Sequence, residues 1–533
     1  MSSLIVVHKV CRAVQNSPHA SQFATLIECH WSSILSWFWL IVNYFPSRIP
    51  ATLSDVYICS VGQLLVSFSP LFVSKCLHSI SGIELAFRLW DSAHNDGRLA
   101  DVSQNGAPGV APFLTYCFKA EDPAQAGDVL HRASHPTMFV RSLNRRLVVL
   151  QKRTSSEVIE LETAKILLDS YADLIAASTN RYDWLWTVML EKRTLVRFSE
   201  CLLELTSIGS RRERRAPNDT TAWALMRLHV MIERVKSTGT FFLPRLEHLV
   251  QGGAIQIVHC CLMKYRNDTF QSDLALSLLS YFAPYVPYSP LGRATLKSLG
   301  HSARYRHLRP MPGWDSFRDI VLRASAATSK VEVVFASACD NIKHPRNPIE
   351  GSHSHGGWKV QTCSACRSVF YCSKSCQKED WDSLHRAECG DMKIEAQARH
   401  NLGQWSPFGS RGSLVAFLLE TYSRSAVSLQ REDVRAYPDK GPEDLITTLD
   451  FRCNDEPVVS RSPKAESTLG LQSRCPASLL PRLHATLANS ESPPMRVVQA
   501  IYPHNQESIY IVARLLGSPE TGFRFLNGLG MIN

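Results

Sequence analysis

The stretch QTCSACRSVFYCSKSCQKEDWDSLHRAECG, residues 361–390, carries five cysteines and a histidine at short, regular gaps. It reads Cys363-x2-Cys366-x5-Cys372-x3-Cys376, then His385-x3-Cys389, and Cys339 stands upstream. Thiolates and imidazoles two or three residues apart converge readily on one tetrahedral ion, so this spacing is that of a zinc module. Nothing else in the 533 residues has a comparable chemical signature.

Around this module the chain is long enough for two to four domains. Hydrophobic residues make up 45% and charged residues 20%, the balance of a globular protein. A net charge of +10 permits acidic partners without arguing for nucleic acid. The remaining cysteines are scattered, mostly in apolar contexts where a reduced thiol acts as a small hydrophobe. Zinc-ligating thiols place the chain in a reducing compartment, cytoplasm or nucleus. Two uncharged stretches, Trp31 to Ser47 and Val56 to Ser74, approach membrane-span length. Pro46 and Pro70 interrupt them and serines dilute them, so they are read as buried core helices and no membrane segment is expected.

Residues 1–335 read as helix after helix. Ile34, Leu35, Phe38, Ile41, Val42 and Phe45 follow a 3.6-residue period, and 156–179 and 183–207 repeat it. The expected fold is therefore mostly α: an armadillo/HEAT-like array or an irregular helical bundle, with no repeating consensus to separate the two. Arg141, Arg145 and Lys152 oppose Leu143, Leu147 and Leu150, the pattern of an amphipathic helix. Residues 209–219, with four arginines and Pro217, are read as a solvated basic loop. The zinc finger is placed at 336–395 and a helical extension at 396–427. Charge, Ser and Pro without periodicity make 428–475 a predicted disordered linker. A small C-terminal segment, 476–533, is expected to hold a β-hairpin of Met495–Tyr502 and Ser508–Leu516.

The motif Tyr371-Cys372-x3-Cys376-Gln377-x3-Trp381-x3-His385-x3-Cys389, preceded by Cys363-x2-Cys366, resembles the MYND-type zinc finger over about a tenth of the chain. The helical flanks resemble those of large MYND proteins of mushroom-forming fungi. The resemblance implies two interleaved zinc ions: one on Cys363, Cys366, His385 and Cys389, the other on Cys372, Cys376 and an upstream pair. Here the sequence departs from the family, because Cys339 is followed three residues later by Ile342, which cannot ligate. His344 is the nearest substitute ligand, His353 and His355 are alternatives, and an incomplete site stays open. With every position filled by protein, such zinc is structural. A module this small needs it, since each ion contributes on the order of 10 kcal/mol to a domain with little core.

In that family the finger binds partner proteins through proline-containing peptides, which implies contacts at Gln377 and Trp381. Trp381 has an alternative role in packing against Val369 and Phe370. The expected function is a non-enzymatic interaction adaptor. The competing readings are a divergent SET-MYND-like lysine methyltransferase and a zinc-dependent transcriptional regulator on DNA. The first lacks its Asn-His-x-Cys type motif. The second lacks groove-reading finger spacing, and phosphate-binding and hydrolase motifs are also missing.

Overall fold

The computed structural model describes residues 18–44, 80–91, 110–119, 136–212, 219–237, 242–265, 269–302, 312–329, 339–343, 361–401, 408–452, 457–488, 495–504 and 507–532. The chain forms two compact units, Met1–Thr238 with His248–Cys261, and Gly239–Glu247 with Leu262–Asn533.

The first unit is helical. It holds α1 (Ala20–Tyr44), α2 (Ile80–Asp91), α3 (Val110–Lys119), α4 (Pro136–Ser155), α5 (Leu161–Arg181), α6 (Trp184–Glu191), α7 (Thr194–Arg212) and α8 (Thr220–Ser237). The lengths of α4 to α8, at 20, 21, 8, 19 and 18 residues, follow no fixed period. On α4, Leu143, Leu147 and Leu150 are buried while Arg141, Arg145 and Lys152 face solvent, as the sequence pattern requires. Arg146 escapes that pattern: it is fully buried, its guanidinium 4.2 Å from the Trp90 ring centroid. Trp90 in turn donates its indole N–H to the Phe139 carbonyl at 3.0 Å.

α9 (Phe242–Gln251) and α10 (Ala254–Lys264) follow, joined by Gly252 and Gly253. A Cβ on Gly252 would stand 2.4 Å from the Val196 carbonyl oxygen, and Gly253 has φ +110°, so side chains are excluded from this turn.

The second unit adds α11 (Phe270–Phe282), α12 (Ser289–Ser302) and α13 (Pro312–Ser329). The finger follows: hairpin β1 (Gln361–Thr362) and β2 (Phe370–Tyr371), α14 (Lys374–Asp380), a π-helical turn Trp381–His385, and α15 (Arg386–Asn401). Beyond it lie α16 (Phe408–Ala436), β3 (Leu445–Asp450), β4 (Val458–Pro463), α17 (Lys464–Gln472), α18 (Leu480–Leu487), β5 (Met495–His504), β6 (Glu507–Ser518) and β7 (Gly522–Ile532).

The five strands form one sheet in the order β4-β3-β5-β6-β7, with β3 and β5 parallel and the other neighbours antiparallel. β5 and β6 form the hairpin read from the sequence, from Met495 opposite Leu516 to His504 opposite Glu507.

The stretch 428–475, expected to be a disordered linker, instead carries the end of α16, two strands and α17, with 453–456 outside the described residues. Two acidic residues of this stretch are paired with arginines within it. Asp433 meets Arg461, Asp450 takes Arg452 at 2.6 Å, and Arg461 also donates to the Leu429 carbonyl at 2.8 Å. Its first strand, β3, is held by β5, about fifty residues away in the chain.

β5 and β6 are buried almost throughout, so both sheet faces are covered. On one side the Tyr502 hydroxyl donates to the Leu414 carbonyl of α16 at 2.8 Å. On the other, Val497, Ile501, Tyr510, Val512, Leu529 and Met531 share one buried cluster with Leu483 and Leu487 of α18 and with cysteines of the finger. The finger is thus built into the wall of the C-terminal sheet.

Candidate metal centre

Three local structures bring the ligands together. The first is the turn after β1. Arg367 N–H donates to the Cys363 carbonyl at 2.9 Å, and Ser368 N–H points at Cys366 Sγ at 3.4 Å. Arg367 adopts φ +56° to make this turn, a conformation that costs a non-glycine residue about 1 kcal/mol. The second is the start of α14, where Ser373 is the N-cap and its hydroxyl accepts from Cys376 N–H at 3.2 Å. Cys372 and Cys376 therefore sit either side of a helix N-terminus. The third is the π turn running into α15, which sets His385 and Cys389 four residues apart on one face.

Cys363, Cys366, His385 and Cys389 are all buried, and their donor atoms lie within 4.8 Å of one another. Cys363 Sγ is 3.7 Å from Cys389 Sγ, and Cys366 Sγ is 3.5 Å from His385 Nε2. A tetrahedron with Zn–S of about 2.3 Å has S···S edges of about 3.7–3.8 Å, so these separations fit one zinc ion and are far too long for a disulfide. Burial raises the Cys363 thiol, but the backbone N–H groups of Cys366 and Ala365 and the His385 ring outweigh it, bringing its pKa down to about 6.

Cys339, Cys372 and Cys376 make the second group, again with donor atoms within 4.8 Å, and Cys372 Sγ lies 3.5 Å from Cys376 Sγ. Cys339 reaches them from far upstream because Asp340 pairs with β2. Its N–H donates to the Phe370 carbonyl and its carboxylate accepts from Phe370 N–H, both at 2.8 Å. The neighbouring Asn341 is fully buried and donates to Glu379 at 2.7 Å. Ile342, three residues after Cys339, offers no ligand atom. His344, His353 and His355 lie outside the described residues.

The outer layer was not legible in the spacing. His385 Nδ1 faces Glu388 Oε2 at 3.8 Å. Glu388 is held by Arg482 of α18, whose Nε donates to both carboxylate oxygens at 2.9 and 3.3 Å. The same guanidinium donates to Asp380 Oδ2 at 2.8 Å and to the Asp340 carbonyl at 2.5 Å. Asp380 also accepts from the Tyr371 hydroxyl at 2.7 Å. A second arginine, Arg411 of α16, grips the Asp340 carboxylate at 2.7 and 3.2 Å and the Ser368 carbonyl at 3.2 Å. The one sequence hint for Arg482 is a lone cation among the leucines of Leu479-Leu-Pro-Arg-Leu483.

Trp381 is 39% exposed, its ring centroid 5.7 Å from that of His385 in an edge-to-face arrangement. Gln377 is half-buried and, four residues earlier, lies on the same side of the helix as Trp381.

Residues 354–389 match the model of the family described as the MYND finger. The chain is 41% identical over 59 residues to histone-lysine N-methyltransferase ASHR1 of Arabidopsis thaliana, covering 10% of this chain and 12% of that protein. It is 46% identical over 39 residues to SET domain and MYND-type zinc finger protein 6 of Schizosaccharomyces pombe, covering 7% and 8%. It is 31% identical over 94 residues to N-lysine methyltransferase SMYD2 of Mus musculus, covering 17% of each chain. The chain thus spans less than a fifth of these curated relatives. No solved structure matches. The chain carries a MYND-type finger, a zinc-binding interaction module, and its two Cys/His clusters suit two zinc ions.

Proposed function

We propose that this protein is a non-enzymatic adaptor whose finger recruits a partner protein through a proline-containing peptide, in the cytoplasm or nucleus. The observation that carries this reading is Trp381. A large aromatic on a module short of core residues is left 39% exposed, beside Gln377, instead of packing inward. Trp and Gln side chains suit a proline-rich segment, because the ring stacks on pyrrolidine and the amide pairs with a peptide backbone lacking its own hydrogen bonds. The Cys363 site supports a structural ion, since four protein ligands leave no position for water or substrate. Among the described residues no helix is long and apolar enough to cross a membrane.

The test is binding of the full-length protein to a library of proline-containing peptides by fluorescence anisotropy. Trp381→Ala is expected to weaken the best ligand at least ten-fold with zinc content unchanged. Equal affinity in the variant would remove Trp381 from the contact. The names of the methyltransferase relatives favour the enzyme reading, although the aligned residues are few. Methyl transfer from S-adenosylmethionine to histone peptides by the purified chain would replace the adaptor reading.

A further inference from the structure

We propose that Arg482 is a positioning residue for the finger's metal ligands, so that zinc retention depends on a helix 94 residues beyond Glu388. Arg482 is 1% exposed, and its guanidinium binds three separate segments of the finger. The first is Glu388, which faces the Nδ1 edge of His385. When His385 Nε2 ligates an ion, Nδ1–H needs an acceptor; a carboxylate there fixes the ring and strengthens it as a ligand. The second is the main-chain carbonyl of Asp340, the residue after Cys339. The third is Asp380, which also holds the Tyr371 hydroxyl, one residue before Cys372. One cation therefore steadies both ligand groups.

The charge balance makes the dependence strong. Asp380 and Glu388 are 0% and 1% exposed, so both carboxylates depend on a buried countercharge to stay in place. Among the described residues, Arg482 is the guanidinium that pairs with both. Without it neither carboxylate keeps its buried countercharge, and Glu388 is no longer held facing the Nδ1 edge of His385. Arg411 does not substitute, because it grips the finger at Asp340 and Ser368 and pairs with neither Glu388 nor Asp380.

The experiment follows zinc transfer from the full-length protein to a chromophoric chelator, with bound ions counted by native mass spectrometry. Arg482→Met is expected to release zinc at least ten-fold faster, in line with the 10–100-fold effects typical of residues supporting metal ligands. Glu388→Gln keeps an acceptor for Arg482 but weakens the one facing His385. It should speed loss of one ion about ten-fold and leave the other at the parental rate, whereas a general loss of stability would speed both. Parental release from Arg482→Met would overturn the proposal. If that variant does not fold, Glu388→Gln decides: selective loss of one ion supports the assignment, and parental or uniformly faster release overturns it.

Discussion

His385 uses its two ring nitrogens for different tasks: Nε2 faces Cys366 Sγ at 3.5 Å and Nδ1 faces Glu388. Burial disfavours charge on this ring, but Cys366 and Glu388 prevail and raise its pKa to about 10. The ring therefore holds a proton at neutral pH until an ion displaces it. Cys389, pushed up to about 12 by burial and the Cys363 thiolate, must give up a proton as well. Cys363, brought down to about 6, is already a thiolate at pH 7 and takes up its proton only below that value. Zinc affinity is accordingly expected to fall with falling pH, and to fall more steeply below about pH 6 as Cys363 also competes for protons. Chelator competition from pH 5 to 8 checks this; a pH-independent affinity would contradict it. The cysteines and His385 were legible as ligands because their gaps are short. Arg482 was not, because a buried arginine and a surface one look alike in a sequence.

At the scale of elements, α14 is seven residues long and depends on its cap. Ser373→Ala removes the acceptor for Cys376 N–H and is expected to cost about 1 kcal/mol. Amide exchange across 374–380 should quicken about five-fold, with zinc still bound; unchanged exchange would show that metal alone holds the helix. The π turn Trp381–His385 leads into α15. Here Trp381 stays exposed while His385 is 1% exposed. The helix α16 (Phe408–Ala436) runs past the C-terminal end of the helical extension expected at 396–427. Strands β3 and β4 were missed because their pairing is between segments, and β3 gains its parallel partner only from β5.

For the whole molecule, the finger and the C-terminal sheet share one buried cluster, so neither has a complete core alone. Cys366→Ala removes a zinc ligand and is expected to unfold the finger while leaving the helical region intact. The shared cluster extends that expectation to the sheet. Limited proteolysis of Cys366→Ala should digest the chain from the finger to the C-terminus and leave the helices of the first unit resistant. Survival of the 445–532 region as a stable fragment would show the sheet to be independent. Collapse of the first unit as well would show that the two units do not fold separately.

The sequence by itself determined the helical periodicity of the first unit, the β5–β6 hairpin and six of the metal ligands. All of these are written within a few residues, where helix, turn and strand periods dictate which side chains meet. Only the tertiary structure decided the rest: β3 beside β5, and Arg482 between Asp380 and Glu388. Such contacts join segments tens of residues apart. What selects them is the burial of a shared apolar cluster and the need to neutralise charge inside it, and neither leaves a spacing in the chain.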